Sequence, residues 1–208
     1  MDSRKVMVGM GKNFISDTAI VEDLVSIGDN TKIWHHAHIR SNVTLGVNVI
    51  IGSNVYLGTG VSVGNNSKIQ SSSLIYEPAQ IDDGVFVGPG VILTNDHNPR
   101  AINPNETQKG SLDWNKAGVV VRHGASIGAG AICVGPIEVG KWAMIGAGAV
   151  VVKDVPNFAL VVGVPARQIG WVGKEGAKLL EVSSTKFKCP ISKKLYDLEG
   201  SNLIEENS

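Results

Sequence analysis

From Ile27 every sixth residue is aliphatic: Ile33, Ile39, Leu45, Ile51, Leu57, Val63, Ile69, Ile75, Ile81, Val87 and Leu93 follow without exception. Two positions before each lies a small or β-branched residue: Val25, Thr31, Ala37, Val43, Val49, Val55, Val61, Ser67, Ser73, Ala79, Val85 and Val91. Directly after the aliphatic position comes a glycine at Gly28, Gly46, Gly52, Gly58, Gly64 and Gly88. The beat resumes at Val121, Ile127, Cys133, Val139, Ile145 and Val151, with Val119, Ala125, Ala131, Ile137, Ala143 and Ala149 as partners. A period of six suits neither an α-helix nor a sheet built from hairpins. It suits a chain that turns a corner after each short strand and sends one aliphatic side chain into a narrow interior. Asparagine and glycine at the corners (Asp29-Asn30, Ser53-Asn54, Asn65-Asn66) tolerate the backbone angles required there. Three hexads close one triangular coil, so residues eighteen apart stack as parallel neighbours, and Ile33, Ile51, Ile69 and Val87 form one interior ladder. The small partners are needed because such a prism is too thin for two large side chains per strand. The expected class is all-β, a parallel β-helix.

Composition agrees with this reading. The chain has 208 residues, 25 of them glycine, with 18% charged and 5% aromatic residues, which is lean in bulk for a conventional globule. Nineteen basic and nineteen acidic side chains cancel, so no net field attracts nucleic acid or an anionic membrane. Cys133 and Cys189 do not make a disulfide framework. The opening MDSRKVMVGMGKNF lacks a long apolar core, and no run approaches membrane-spanning length, so a cytoplasmic, soluble protein is expected.

The step from Leu93 to Val121 is 28 residues, so the coil is interrupted and a loop, 94–118, is extruded. Asn95, Asp96, His97, Asn98 and Arg100 crowd its start, and Trp114 is available as an anchor. Long loops in compact domains are usually functional or disordered. Inner side chains are buried aliphatics, so chemistry must sit outside the prism, where neighbouring subunits meet. A second dense stretch, IWHHAHIR, holds Trp34, His35, His36 and His38. Treated as an extended strand, it points His36 and His38 one way and His35 the other, which disfavours a local three-histidine metal site. No metal is expected. After the loop, Ala129, Gly130, Ala131, Ala147, Gly148 and Ala149 leave the wall nearly bare. A thin, amide-bearing pantetheine arm would fit along such a wall, with Lys153, Arg167 and Lys174 near the end of the helix for nucleotide phosphates.

GAGAVVVKDVP followed by GVPARQIGW resembles the closing signature of coenzyme-A-dependent hexapeptide-repeat acetyltransferases. The resemblance covers roughly residues 15–170 and implies a left-handed helix; the period itself carries no hand, and parallel crossovers are normally right-handed. LTNDHNPRA resembles the loop of N-acetyltransferases acting on nucleotide-linked 3-amino sugars. With KIWHHAHI, NSKIQ and VPARQIGWV, it is most similar to the UDP-2-acetamido-3-amino-2,3-dideoxy-glucuronate N-acetyltransferases of surface polysaccharide biosynthesis. The loop continuation NPNETQKGSLDW is longer than the common form, and an extra tail follows.

The resemblance implies acetyl-CoA as co-substrate, a homotrimer, Asn95 at the acetyl carbonyl or reacting amine, and Arg100 shaping the sugar site. Asn95, His97 and His36 are the catalytic candidates; Asp96, Arg100, His38, Lys68 and Glu77 the substrate-binding ones. Gly130, Ala131, Ala147, Gly148, Lys153 and Arg167 are the coenzyme A candidates. Either a histidine (His97, His36 or His38) takes the amine proton, or no side chain acts as base and Asn95 orients the reactants. The resemblance favours the second, so Asn95→Ala is expected to cost more turnover than any single histidine. Alternatives are a dTDP-linked 3-amino-6-deoxyhexose substrate, or the zinc carbonic anhydrase activity that the same fold hosts. A cation near sugar C6 would favour the uronic acid, with Arg40, Lys68 and Arg100 as candidates. Residues 1–172 are read as the helix domain. Residues 173–208 are read as a small α/β cap, with GKEGAKLLE as a short helix and KFKCPISKKLYDLEGSNLI as a hairpin turning at Gly200.

Overall fold

A computed structural model describes residues 6–110 and 112–206. The chain winds as a three-sided parallel solenoid, consistent with a left-handed β-helix. Face A stacks strands from Met7–Val8 to Ile137–Val139, face B from Phe14–Ile15 to Ala159–Val162, and face C from Ile20–Val21 to Val150–Val151. The ladder register is eighteen residues, as in Ile33↔Ile51, Ile51↔Ile69 and Ile69↔Val87. All aliphatic and small positions of the six-residue beat are buried, from Val25 and Ile27 to Ala149 and Val151. In each two-residue strand the first side chain faces outward and the second inward.

Three hydroxyls at small positions would be costly inside this core if left unpaired. Each bonds to the backbone of the next coil: Thr31 Oγ1 donates to Gly46 O at 2.9 Å, Ser67 Oγ to Asp82 O at 3.0 Å, and Ser73 Oγ to Gly88 O at 2.9 Å. Cys133 occupies an aliphatic position, and burial pushes its thiol pKa up to about 12, so it is a packing residue rather than a nucleophile.

The corners explain the asparagines. Asn30, Asn42, Asn48, Asn54 and Asn66 all have φ between 57° and 62°, a left-handed region in which asparagine is less strained than most residues. The glycine after an inner aliphatic has a different reason. A Cβ on Gly128 would lie 2.4 Å from Ala147 N, because the backbones of successive coils meet there.

The tail departs from expectation. GKEGAKLLE is not a helix: it is a turn, a bridge between Val172 and Lys178, and the start of strand Leu180–Ser183. The hairpin is instead part of a four-stranded antiparallel sheet, Leu180–Ser183, Lys186–Lys188, Leu195–Glu199 and Asn202–Glu205, and Gly200 turns between its last two strands at φ 60°. Alternating Lys-Phe-Lys and Leu-Tyr-Asp-Leu segments suit strands, and Gly176 at φ 76° breaks the helical reading. Leu179, Cys189, Tyr196 and Leu203 form a second small core against Phe158 of the last coil. The all-β class holds, and among the described residues the cap contributes no helix.

Candidate functional site

The inserted loop leaves face C after Ile92–Leu93 and returns at Val119–Val121 on face A, so it stands on the edge between them. Register across it is forty residues (Gln80↔Val120), so twenty-two residues are added to a coil of eighteen. Its neck is pinned: Ala117 N donates to Asn95 O at 2.9 Å, and Asp96 bridges Lys116. Farther out, Ile102 bridges Gln108, so the loop carries structure of its own. Asp96, His97, Trp114, Lys116 and Pro136 line a hollow of about 600 Å³ beneath it. His97 Nδ1 lies 3.3 Å from the Gly135 carbonyl. A carbonyl only accepts, so Nδ1 carries the proton and Nε2 of the neutral ring is left as an acceptor. Glu77, one coil below, faces Lys116 at 3.6 Å. Arg100 is exposed, and its Nη1 donates to the adjacent Pro99 carbonyl at 2.9 Å, its one hydrogen bond among the described residues.

The other edge of face C, shared with face B, is bare near its C-terminal end. Gly88-Pro89-Gly90, Gly128-Ala129-Gly130 and Gly146-Ala147-Gly148 stack there in successive coils. On the edge between faces A and B, the equivalent backbone amides are taken by side chains of the next coil: Val47 N by Asn65 Oδ1 at 2.8 Å, and Asn65 N by Asp83 Oδ1 at 2.6 Å. Alanine offers no acceptor, and the amides of Ala129 and Ala147 have no partner among the described residues. Added Cβ atoms on Gly130 and Gly148 would meet nothing within 4 Å, so the space outside them is open. Ala131 faces inward and is fully buried; it keeps the prism narrow and contacts nothing outside. Lys153 and Arg167 line one depression of about 380 Å³ at the end of the column. Lys174 lies elsewhere, paired with Glu205 and stacked over the Trp142 ring at 5.7 Å.

The histidine stretch is not one strand. His35 and His36 form the corner between faces B and C, with His36 at φ 58°, and only His38 lies in a strand, on face C. A corner residue with left-handed backbone breaks the two-residue alternation assumed from the sequence. His35 Nδ1 contacts Ser16 Oγ at 2.8 Å, whereas His38 Nε2 donates to Glu22 Oε1 at 2.9 Å. Neither joins the loop, which emerges three coils farther along. Lys68 points out from face B, away from the loop edge. Arg40 Nε is held by Glu22 at 2.6 Å and its Nη1 donates to Tyr56 Oη at 3.2 Å. Among the described residues no cluster of three or more His, Cys, Asp or Glu could hold a metal ion.

Burial alone would raise the Glu22 pKa, but hydrogen bonds from His38, Arg40 and Ser41 outweigh it and hold the carboxyl down at about 2. A depressed carboxylate stabilises the fold fully above its unfolded value, and that contribution disappears as pH falls through the folded one. The stability gap between the wild type and Glu22→Gln should therefore be widest above pH 4.5 and narrow toward pH 2. Urea midpoints across that window measure it; a gap independent of pH would contradict the assignment.

Two features were not read from the sequence: the carbonyl that sets the His97 tautomer, and the apolar outer surface of face C. The first has no sequence signal, because Gly135 lies 38 residues away across an aperiodic loop. The second does, in the residue preceding each third inner aliphatic: Ile20, His38, Tyr56, Leu74, Ile92, Ile132 and Val150.

Residues 25–59 match the family described as bacterial transferase hexapeptide (six repeats). A serine acetyltransferase of Buchnera aphidicola subsp. Schizaphis graminum is 36% identical over 99 residues, 47% of this chain and 37% of that protein. The dTDP-3-amino-3,6-dideoxy-alpha-D-galactopyranose 3-N-acetyltransferase of Aneurinibacillus thermoaerophilus is 47% identical over 60 residues, 29% of this chain and 31% of that protein. The chain thus spans about a third of the length of these relatives. The solved UDP-N-acetylglucosamine acyltransferase from Campylobacter jejuni shares the fold, with a TM-score of 0.63 at 18% identity over 81% of this chain and 71% of that one. The chain folds as a β-helix of six-residue repeats, and along those repeats it is similar to the acetyltransferases named above.

Proposed function

We propose that this chain transfers the acetyl group of acetyl-CoA to the 3-amino group of a nucleotide-linked amino sugar, in clefts between the subunits of a homotrimer. The observation that carries this reading is the layout around face C. The loop with His97 stands on one edge, and the bare wall with the unpartnered Ala129 and Ala147 amides stands on the other. Outward positions on face C are mostly apolar, whereas face A presents Ser26, Thr44, Ser62 and Gln80. Packing face C around a threefold axis would bury the apolar surface. It would also bring the loop edge of each subunit against the bare edge of the next.

In this arrangement the pantetheine amides pair with the exposed backbone groups of Ala129 and Ala147, and Lys153 and Arg167 meet the phosphates. The amine nitrogen attacks the thioester carbonyl and forms the C–N bond while its proton passes to His97 Nε2. Collapse of the tetrahedral intermediate breaks the C–S bond, and His97 returns the proton to the departing thiolate. Asn95, at the pinned neck, orients the reacting groups. Of the three cations considered for a uronic acid, Arg40 is already engaged by Glu22, whereas Arg100 stands on the same loop as Asn95 and His97 with no carboxylate partner among the described residues, so Arg100 is assigned to the sugar carboxylate. That favours a UDP-linked 3-amino uronic acid over a dTDP-linked deoxyhexose, in surface polysaccharide synthesis.

Release of free thiol from acetyl-CoA, measured across UDP- and dTDP-linked 3-amino sugars, tests the reading. Turnover with at least one of them is expected, together with a rise in melting temperature in acetyl-CoA, since a ligand of the native state stabilises it. Absence of both would end it.

A further inference from the structure

Face B borders the bare edge, and its outward positions begin Phe14, Lys32, Ile50, Lys68 and Phe86. Trp34 follows Lys32–Ile33 at the corner toward face C, and its ring meets that of Phe14 with centroids 5.1 Å apart. The two rings are 40% and 42% exposed, so neither is a core residue of the prism. Lys32 lies in register beside Phe14, and Lys68 two coils farther on. Both lysines are exposed and neither forms a salt bridge among the described residues. No outward strand position of face B from Phe14 to Met144 carries a carboxylate. The nearby acids stand off this strip: Asp17 at the corner beside the Phe14 coil, and Asp29, Asp82 and Asp83 along the opposite edge of the face.

An exposed aromatic pair offers a π-surface for a nucleobase. Unpaired cations farther up the same strip suit a diphosphate. From the Trp34 coil to the coil of Pro89, where the inserted loop emerges, there are three strand spacings, roughly 14 Å. An extended nucleoside diphosphate sugar covers such a distance between its base and the amino nitrogen on its sugar ring. In the trimer proposed above, this part of face B faces the cleft into which the neighbouring loop reaches.

We infer that Phe14 and Trp34 stack the base, and Lys32 and Lys68 bind the diphosphate, of the sugar nucleotide. This subsite rests on the nucleotide-sugar reading of the chain. It places the nucleotide on the opposite side of the reacting group from coenzyme A, whose phosphates lie toward Lys153 and Arg167.

Calorimetric titration of the full chain with UDP, dTDP and UMP tests the inference. The wild type should bind UDP or dTDP. Trp34→Ala should weaken that binding about ten- to a hundredfold, the range that loss of one base-stacking ring implies, and Trp34→Phe should retain most of it. The double variant Lys32→Gln/Lys68→Gln should abolish the advantage of UDP over UMP. Protection of each variant by acetyl-CoA, measured in parallel, reports that the fold and the other ligand site are intact. Equal UDP binding by wild type and Trp34→Ala would overturn the subsite, as would failure of the wild type to bind any of these nucleotides. Thiol release with an amino sugar keeps the two readings apart. If acetyl transfer persists while Trp34→Ala binds nucleotide normally, only the subsite falls; if no amino sugar is acetylated, the enzymatic reading falls by itself.

Discussion

His97→Gln is expected to lower acetyl transfer by about 10²–10⁴-fold, the usual contribution of a positioned general base. The ring is exposed, so its loss removes no core packing, and acetyl-CoA protection against unfolding should survive. The reason to single out this histidine is its contact with Gly135, at 3.3 Å, which places the proton on Nδ1 and leaves the Nε2 lone pair free to accept. His36 sits at a corner three coils before the one from which the loop emerges, and the His38 Nε2 is occupied by Glu22. Family resemblance ranks Asn95→Ala as the more damaging change, so both variants belong in one experiment with turnover as the readout. A His97→Gln enzyme running at the wild-type rate, beside a crippled Asn95→Ala, would mean that the amine reacts without a side-chain base.

The double substitution Leu74→Glu/Ile92→Glu should separate the subunits and take turnover to background. These side chains are adjacent outward neighbours in register on face C. If that face lines a threefold axis, each substitution repeats around the axis and brings like carboxylates together in an apolar contact. Burying unpaired charges costs several kcal/mol per ion, enough to dissociate an ordinary interface. Sedimentation velocity and thiol release should therefore fail together. The monomer should keep its strand signal in circular dichroism, because neither residue contributes to the prism interior. A variant that stays trimeric and active, or a wild type that sediments as a monomer, would remove the basis for a cleft between subunits.

Much of the solenoid follows from arithmetic on the chain. Position within the hexad decides in or out, and position modulo eighteen decides the face. Burial of the aliphatic and small positions from Val25 to Val151 bears this out. The stacked coils put Lys68 on face B and the inserted loop on the edge between faces C and A, so the two share no edge within one chain. One departure falls where the period stops and one within it. GKEGAKLLE has helix-forming composition, but Gly176 and the sheet beside it turn it into a strand entry. Extended-strand alternation does not hold at His36, which occupies the corner position that Asn54 fills in the next coil.

The sequence by itself determined the repeat, the coil of eighteen, the interior and the point of insertion. Each follows from local backbone geometry and from side-chain size in a narrow prism, and both recur at every step. Only the tertiary structure decided which groups meet outside that interior: His97 with Gly135, Lys153 with Arg167, Phe14 with Trp34, and Glu22 with both His38 and Arg40. Such contacts depend on where aperiodic segments fold back and which way individual side chains point across a corner. No local rule sets them, so they appear only once the coils are stacked.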